Sequence, residues 1–194
     1  MTIIFLVTFI GLMGFGIILP LFPFYAERMG ASPEIITLTM AAFSLGQFVA
    51  APLWGRLSDS IGRKPVLILT LLGSSLSYVI LAYAPNLTVV ILSRILSGLM
   101  AGNVSIAFAY VTDITDDNNR AAGLGKVSAA LGLGFMTGPA IGGLLAGNTV
   151  ENANYLLTAW AAAGINFLAM VAAIVFLKES LDAKKRKPFE GFSK

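Results

Sequence analysis

Residues 55–67 have the sequence GRLSDSIGRKPVL, which places Arg56, Asp59, Arg63 and Lys64 between two apolar runs. The chain elsewhere avoids charge: 12% of its 194 residues are charged, 57% are hydrophobic, and the mean hydropathy is +0.83. A soluble domain carries about 25% charged residues, and a water-soluble fold of this composition would expose large apolar patches. We therefore expect a membrane protein in which this charged stretch is a loop between two membrane-spanning helices.

The charge-free apolar runs predict six membrane-spanning helices and an all-α fold. A span needs about 20 apolar residues. The turn signal at 84–86, Ala-Pro-Asn, divides one run that is too long for a single span. The predicted domain boundaries are a six-helix bundle over 1–178 and a cytoplasmic linker over 179–194. The predicted helices lie near 3–25, 35–55, 65–84, 87–112, 122–146 and 154–177.

The distribution of Lys and Arg predicts the orientation in the membrane. Of the 13 Lys and Arg residues, only Arg28 falls on the side opposite to 55–67, and Arg94 lies within a span. We expect both ends of the segment to be cytoplasmic, in a plasma or bacterial inner membrane. The basic run KKRK at 184–187 is expected to be solvated beside anionic lipid headgroups. We expect it to bind no nucleic acid.

The composition also limits the chemistry. The chain has no Cys and no His, so disulfides, the commonest metal ligand and the usual acid or base of neutral pH are excluded. The sequence offers no nucleophile–base pair and no cluster of metal ligands. We therefore expect neither an enzyme nor a cofactor-binding or metal-binding protein.

The charged stretch follows the pattern G-x-L-x-D-x-x-G-R-K, and it resembles the signature loop between helices 2 and 3 of the major facilitator superfamily. We expect its two glycines to permit a sharp turn and close backbone approach. In the family, the aspartate of this loop faces the N-terminal end of a helix in a second half of the molecule. The alternative is an ordinary topogenic loop. The resemblance implies a conformational latch formed by Gly55, Asp59, Gly62, Arg63 and Lys64, with Asp113 as the partner of Arg63.

The fourth predicted span contains RILSGLMAG, residues 94–102. A charge at membrane depth normally faces a cavity or a partner. Arg94 followed by Gly98 and Gly102 resembles the family's helix-4 motif, which is implicated in coupling protons to transport. The spacing of the two glycines also favours close helix contact. The alternative is an arginine that extends to the outer interface of the membrane.

The fifth predicted span contains GLGFMTGPAIGG, residues 132–143. Gly134, Gly138 and Gly142 share one helical face, and Pro139 removes a backbone donor and favours a kink. Together with Gly143, the pattern resembles the signature of the drug/proton antiporter branch, which exporters carry. The alternative is tight packing of an ordinary pair of membrane helices.

Essentially the whole chain resembles one half of the twelve-helix tetracycline-efflux subgroup. Those exporters carry aspartates where this chain has Gly11 and Ser77, and no Asp or Glu lies inside the six predicted spans. A proton relay needs a titratable group in the pathway, so we expect the coupling acid in the second half. The expected cavity residues, for which helix packing is the alternative role, are Gln47, Asn103, Phe15, Phe43, Tyr110 and Met136.

The resemblance implies the N-terminal half of a multidrug exporter, built from two inverted three-helix repeats. It would exchange drug-like amphipathic molecules for protons, together with a C-terminal six-helix half, and so contribute to antibiotic resistance. Three alternatives remain open: a metabolite or sugar carrier of the same superfamily, a half-size protein that works as a dimer, and a membrane scaffold or receptor that transports nothing.

Overall fold

The computed structural model describes residues 1–147 and 153–188. These residues form α-helices and one 3₁₀ turn, Ala183–Lys185. Six segments are long and apolar enough to cross a membrane; two of them, α1 with α2 and α5 with α6, are interrupted helices. The prediction of six spans is confirmed. The helices are α1 (Thr2–Ile18), α2 (Phe22–Arg28), α3 (Pro33–Ile61), α4 (Arg63–Ala82), α5 (Leu87–Leu99), α6 (Asn103–Ile114), α7 (Asp117–Ala146) and α8 (Tyr155–Phe176).

The charged stretch 55–67 is not a loop, so this prediction was wrong. α3 continues to Ile61 and α4 begins at Arg63, with Gly62 alone between them. The chain can turn there because Gly62 has φ +113°, a conformation that only glycine adopts without strain. Polar residues near the end of α3 do not stop the helix; Ser58 Oγ, for example, donates a hydrogen bond to Gly55 O at 2.7 Å.

Two spans are interrupted where continuous helices were predicted. The first breaks between α1 and α2 beside Pro20, because proline lacks an N–H group and restricts the residue before it. The second breaks at 100–102, where Trp54 Nε1 donates a hydrogen bond to Leu99 O at 2.6 Å. α7 also begins earlier than predicted, at Asp117, because Asp116 Oδ1 accepts a hydrogen bond from Asn119 N at 3.0 Å and caps the helix.

The packing of the helices shows the two predicted repeats. The interrupted span α1–α2 corresponds to α5–α6, α3 to α7, and α4 to α8. α3 and α7 have 29 and 30 residues and one internal proline each, Pro52 and Pro139. α1 packs on α7 and α8, as α5 packs on α3 and α4, and α4 packs on α8. Because each repeat has three spans, the second enters the membrane from the opposite side.

Besides a small cluster of Ala146, Ala153 and Tyr155, the core contains two larger apolar clusters separated by a polar layer. One cluster contains Ile4 and Leu71, and the other contains Ile17 and Tyr78. Between them along α8 lies Asn166, which is 1% exposed. This layer contains the candidate transport cavity.

Candidate functional site

A charged cluster lies where α3 meets α4, and it is centred on Arg63. Its Nη1 is 2.6 Å from Asp59 Oδ1, and its Nε is 2.9 Å from Asp113 Oδ2. Nη1 also donates a hydrogen bond to Ser58 Oγ at 2.7 Å. The Arg63–Asp113 contact is the one that the family resemblance predicted. The Arg63 side chain is 9% exposed, whereas that of Asp59 is 40% exposed, so Asp59 remains open to a further partner.

Sequence reasoning missed Glu179, which lies beyond the last span. Its carboxylate accepts hydrogen bonds from Arg63 N at 2.8 Å and Lys64 N at 3.1 Å. The one hint in the sequence is Gly62, because a glycine before a helix has no side chain to cap it. The cap must then come from elsewhere in the chain. Lys64 Nζ donates to Ile174 O at 2.7 Å, so this lysine is held by α8.

The described part of the predicted linker, residues 179–188, is exposed over most of its length but contacts the bundle at several points. Leu177 and Leu181 are 3% and 9% exposed, and Lys187 N donates a hydrogen bond to Asp59 O at 3.0 Å. The segment after α8 therefore contacts the bundle, while Lys184, Arg186 and Lys187 of the basic run are exposed. Residues 189–194 lie outside the described part of the chain.

The two glycines of the charged stretch differ. Gly62 forms the turn, as described above. Gly55 lies inside α3, and a Cβ there would have no neighbour within 4 Å. Gly55 therefore forms no turn, and within this half no backbone approaches it closely.

Arg94 is buried inside the bundle. It is 4% exposed, and its guanidinium carbon lies 5.4 Å from the ring centroids of both Phe22 and Tyr78. Its Nε and Nη2 have no hydrogen-bond partner within residues 1–147 and 153–188. The alternative of an interfacial arginine is contradicted by this burial. Cation–π contact with two rings offsets part of the cost of the buried charge.

The small residues that follow Arg94 bring α5 and α6 close to α3. A Cβ at Gly98 would overlap the backbone of Phe43, and one at Gly102 would overlap the ring of Trp54. The predicted close helix contact is therefore confirmed.

The glycine face of α7 packs against the backbone of α1. A Cβ at Gly134, Gly138 or Gly142 would collide with α1 backbone atoms, including those of Gly16 and Ile17. Gly143 has no atom within 4 Å of such a Cβ. α7 continues through Pro139 to Ala146. The predicted small-residue face is therefore an interface in which two backbones touch without intervening side chains.

A cavity of about 70 Å³ lies in the polar layer between the apolar clusters. Four of the predicted residues line it, and the rings of Phe15 and Phe43 stack with centroids 5.0 Å apart. The four are Phe15, Phe43, Gln47 and Asn103.

Two predicted residues lie outside this cavity. The Tyr110 hydroxyl donates a hydrogen bond to Lys178 O at 2.8 Å, and Tyr110 is 6% exposed; it holds the segment after α8. Met136 is 66% exposed on α7. Neither residue lines this cavity, and their place in a pathway shared with a second half stays a prediction.

Several polar residues of the cavity were missed: Ser74, Tyr78, Ser97 and Asn166. Gly11 also lines it, and a Cβ there would lie 3.3 Å from Asn103 Nδ2. Ser77 instead donates a hydrogen bond to Ser74 O at 2.7 Å within α4. The lining mixes polar and apolar side chains and carries no charge.

Comparison with known proteins identifies the family. The family model described as Major Facilitator Superfamily matches residues 4–193. The chain belongs to the Major Facilitator Superfamily. Proteins of this superfamily that match the chain are membrane-embedded transporters of small molecules, and this major facilitator chain is accordingly an integral membrane protein.

Relatives of this major facilitator chain include resistance proteins. It is 35% identical to the tetracycline resistance protein, class C, of Escherichia coli, over 93% of this chain and 45% of that protein. It is also 35% identical to multidrug resistance protein 2 of Bacillus subtilis, over 96% of this chain and 46% of that protein. The chain thus spans about half the length of these relatives.

The fold of this major facilitator chain matches a solved transporter. The human organic anion transporter MFSD10 (TETRAN) superposes with a TM-score of 0.84 at 28% identity. The match covers 98% of this chain and 50% of that one. The six-helix bundle is therefore half of a larger transporter architecture in this neighbour.

Proposed function

We propose that this chain is the N-terminal half of a proton-coupled exporter of drug-like amphipathic molecules. The bundle, residues 1–178, would rock against a C-terminal six-helix half around a central cavity. The observation that carries this proposal is the uncharged polar cavity between the two repeats, which combines two stacked Phe rings with amide and hydroxyl groups. Such a lining can contact amphipathic molecules, but a cavity of about 70 Å³ is smaller than a drug-sized site. The second half would therefore complete the substrate site. The resistance proteins among the relatives support the direction of transport.

The cluster around Arg63 is the proposed latch. Asp59 is held by Arg63 but keeps 40% of its side chain exposed, which leaves it free to face a helix N-terminus of the second half. Both ends of the segment are proposed to be cytoplasmic, so the latch would hold the cytoplasmic side closed and stabilise the outward-facing state.

We propose that both halves contribute groups to proton coupling. Arg94 is the charged group of the spans that the structure buries most deeply in this half. We propose that Arg94 takes part in the coupling and that the titratable carboxyl group lies in the second half, since the cavity of this half carries no acid.

Dye retention in cells that express the full-length protein tests the proposal. Expression is expected to lower the retention of an amphipathic dye, and a protonophore is expected to restore it. Retention that is the same with and without expression would argue against drug efflux. Efflux that persists with the protonophore would argue against proton coupling.

A further inference from the structure

The N-terminus of α4 is capped by a carboxylate that lies far away along the chain, just beyond the end of α8. Glu179 is 116 residues away from Arg63 along the chain, yet it binds the first two N–H groups of α4 at 2.8 and 3.1 Å. The α4 N-cap residue, Gly62, makes no side-chain hydrogen bond. A helix N-terminus carries free N–H groups and a partial positive charge. Glu179 supplies both the acceptors and the charge that Gly62 cannot.

The conformation of Gly62 fits this contact in a second way. A Cβ at position 62 would overlap the Glu179 carboxylate. Glycine is favoured here by its φ of +113°, and a larger residue would also push the Glu179 carboxylate away from the helix N-terminus.

Further hydrogen bonds fix residues 177–187, which we call the docking segment. Ser180 Oγ donates to Asp113 Oδ2 at 3.1 Å, and Lys187 N donates to Asp59 O at 3.0 Å. With the bond from Arg63 N to Glu179, every ionic member of the latch contacts this segment. The chain that leaves α8 is thus joined directly to the ion-pair cluster.

We propose that Glu179 is a positioning residue of the latch and that the docking segment couples the chain after α8 to the state of that latch. Glu179 holds the backbone of Arg63. In this position the Arg63 guanidinium reaches both Asp59 and Asp113. The inference rests on the proposed latch function. When the latch opens, the docking segment shifts with Arg63, so movement of the docking segment and release of Asp59 are linked.

Hydrogen exchange in the full-length protein tests the positioning. Glu179→Gln keeps the size of the side chain but removes its charge, and Asp182→Asn is the matched control. Asp182 lies in the same segment and caps its local turn through Lys184 N at 3.0 Å. Exchange of the Arg63 and Lys64 amides, followed in a peptide that begins well before Arg63, is expected to rise about tenfold in Glu179→Gln, because charge-assisted hydrogen bonds are lost. It should stay unchanged in Asp182→Asn.

The second readout is the initial rate of efflux. Glu179→Gln is expected to lower it, Glu179→Asp to restore part of it, and Asp182→Asn to leave it unchanged. Unchanged exchange in Glu179→Gln would overturn the proposal, and so would raised exchange with normal efflux, since Glu179 would then be a structural cap only. If the wild-type protein exported nothing, the proposed function would fail, whereas the exchange result would still decide whether Glu179 holds α4.

Discussion

At the scale of single residues, the two glycines of the charged stretch should respond oppositely to the same substitution. Gly62→Ala places a Cβ at φ +113° and against Glu179, so we expect a loss of about 1–2 kcal/mol from the backbone conformation alone. Gly55→Ala lies in a helix with open space around it. It should raise stability by about 0.5–1 kcal/mol. Thermal unfolding of both variants in detergent measures the difference, and equal shifts would contradict the assigned geometry.

Substitutions of Arg94 should affect thermal stability and efflux in different directions. Its charge costs at least about 2.5 kcal/mol at membrane depth, and Arg94→Met would place a thioether between the Phe22 and Tyr78 rings. We expect an unchanged or higher melting temperature together with loss of proton-driven efflux. Arg94→Lys, which keeps the charge, is the control and should retain more efflux. A lower melting temperature with normal efflux would show that Arg94 only supports packing.

The site was only partly predictable from single residues. The Arg63–Asp113 pair follows from a short motif and a resemblance. The contact of Glu179 with α4 spans 116 residues, and no periodicity or motif indicates a contact at that distance. Asn166 and Ser74 were missed because isolated polar residues in an apolar helix have the same sequence pattern whether they line a cavity or bond to their own backbone.

At the scale of helices, the interface between α1 and α7 should tolerate no added volume. Gly138→Ala would force a Cβ into the backbone of Gly16, which cannot rotate away as a side chain can. We expect a loss of about 1–3 kcal/mol and reduced efflux. Gly143→Ala, in the same helix but with open space, is the matched control and should be neutral or mildly stabilising. Equal behaviour of the two variants would contradict this packing.

The number of helices was predictable from hydropathy, but their interruptions and joints were not. Six apolar runs of sufficient length predict six spans. Each span must be helical because unpaired backbone groups are costly in lipid. The break at 100–102 depends on a tertiary bond from Trp54 to Leu99 O, and the tight α3–α4 junction depends on Gly62. Both features come from contacts and backbone dihedrals, which an apolar run does not indicate.

At the scale of the whole molecule, the orientation can be measured with cysteine labels. The chain has no Cys of its own, so an introduced cysteine is the single label site in this segment. Any cysteines elsewhere in the full-length protein would be replaced first. Ser32→Cys precedes α3, and Asn118→Cys lies near the start of α7. An impermeant thiol reagent added to intact cells should label position 32 and not position 118. The reverse pattern would overturn the orientation inferred from Lys and Arg.

The most direct test of the latch is the accessibility of the cavity from the cytoplasmic side. Gln47→Cys places a reporter in the cavity lining, and labelling is followed in inside-out vesicles that contain the full-length protein. Asp59→Asn should raise the labelling rate several-fold. Without the Asp59 charge, the proposed contact that holds the cytoplasmic side closed is weakened, and the cavity opens more often to that side. Asp117→Asn, which alters a surface pair with a 90% exposed Asp117 side chain, should leave the rate unchanged. An unchanged rate in Asp59→Asn would contradict the latch.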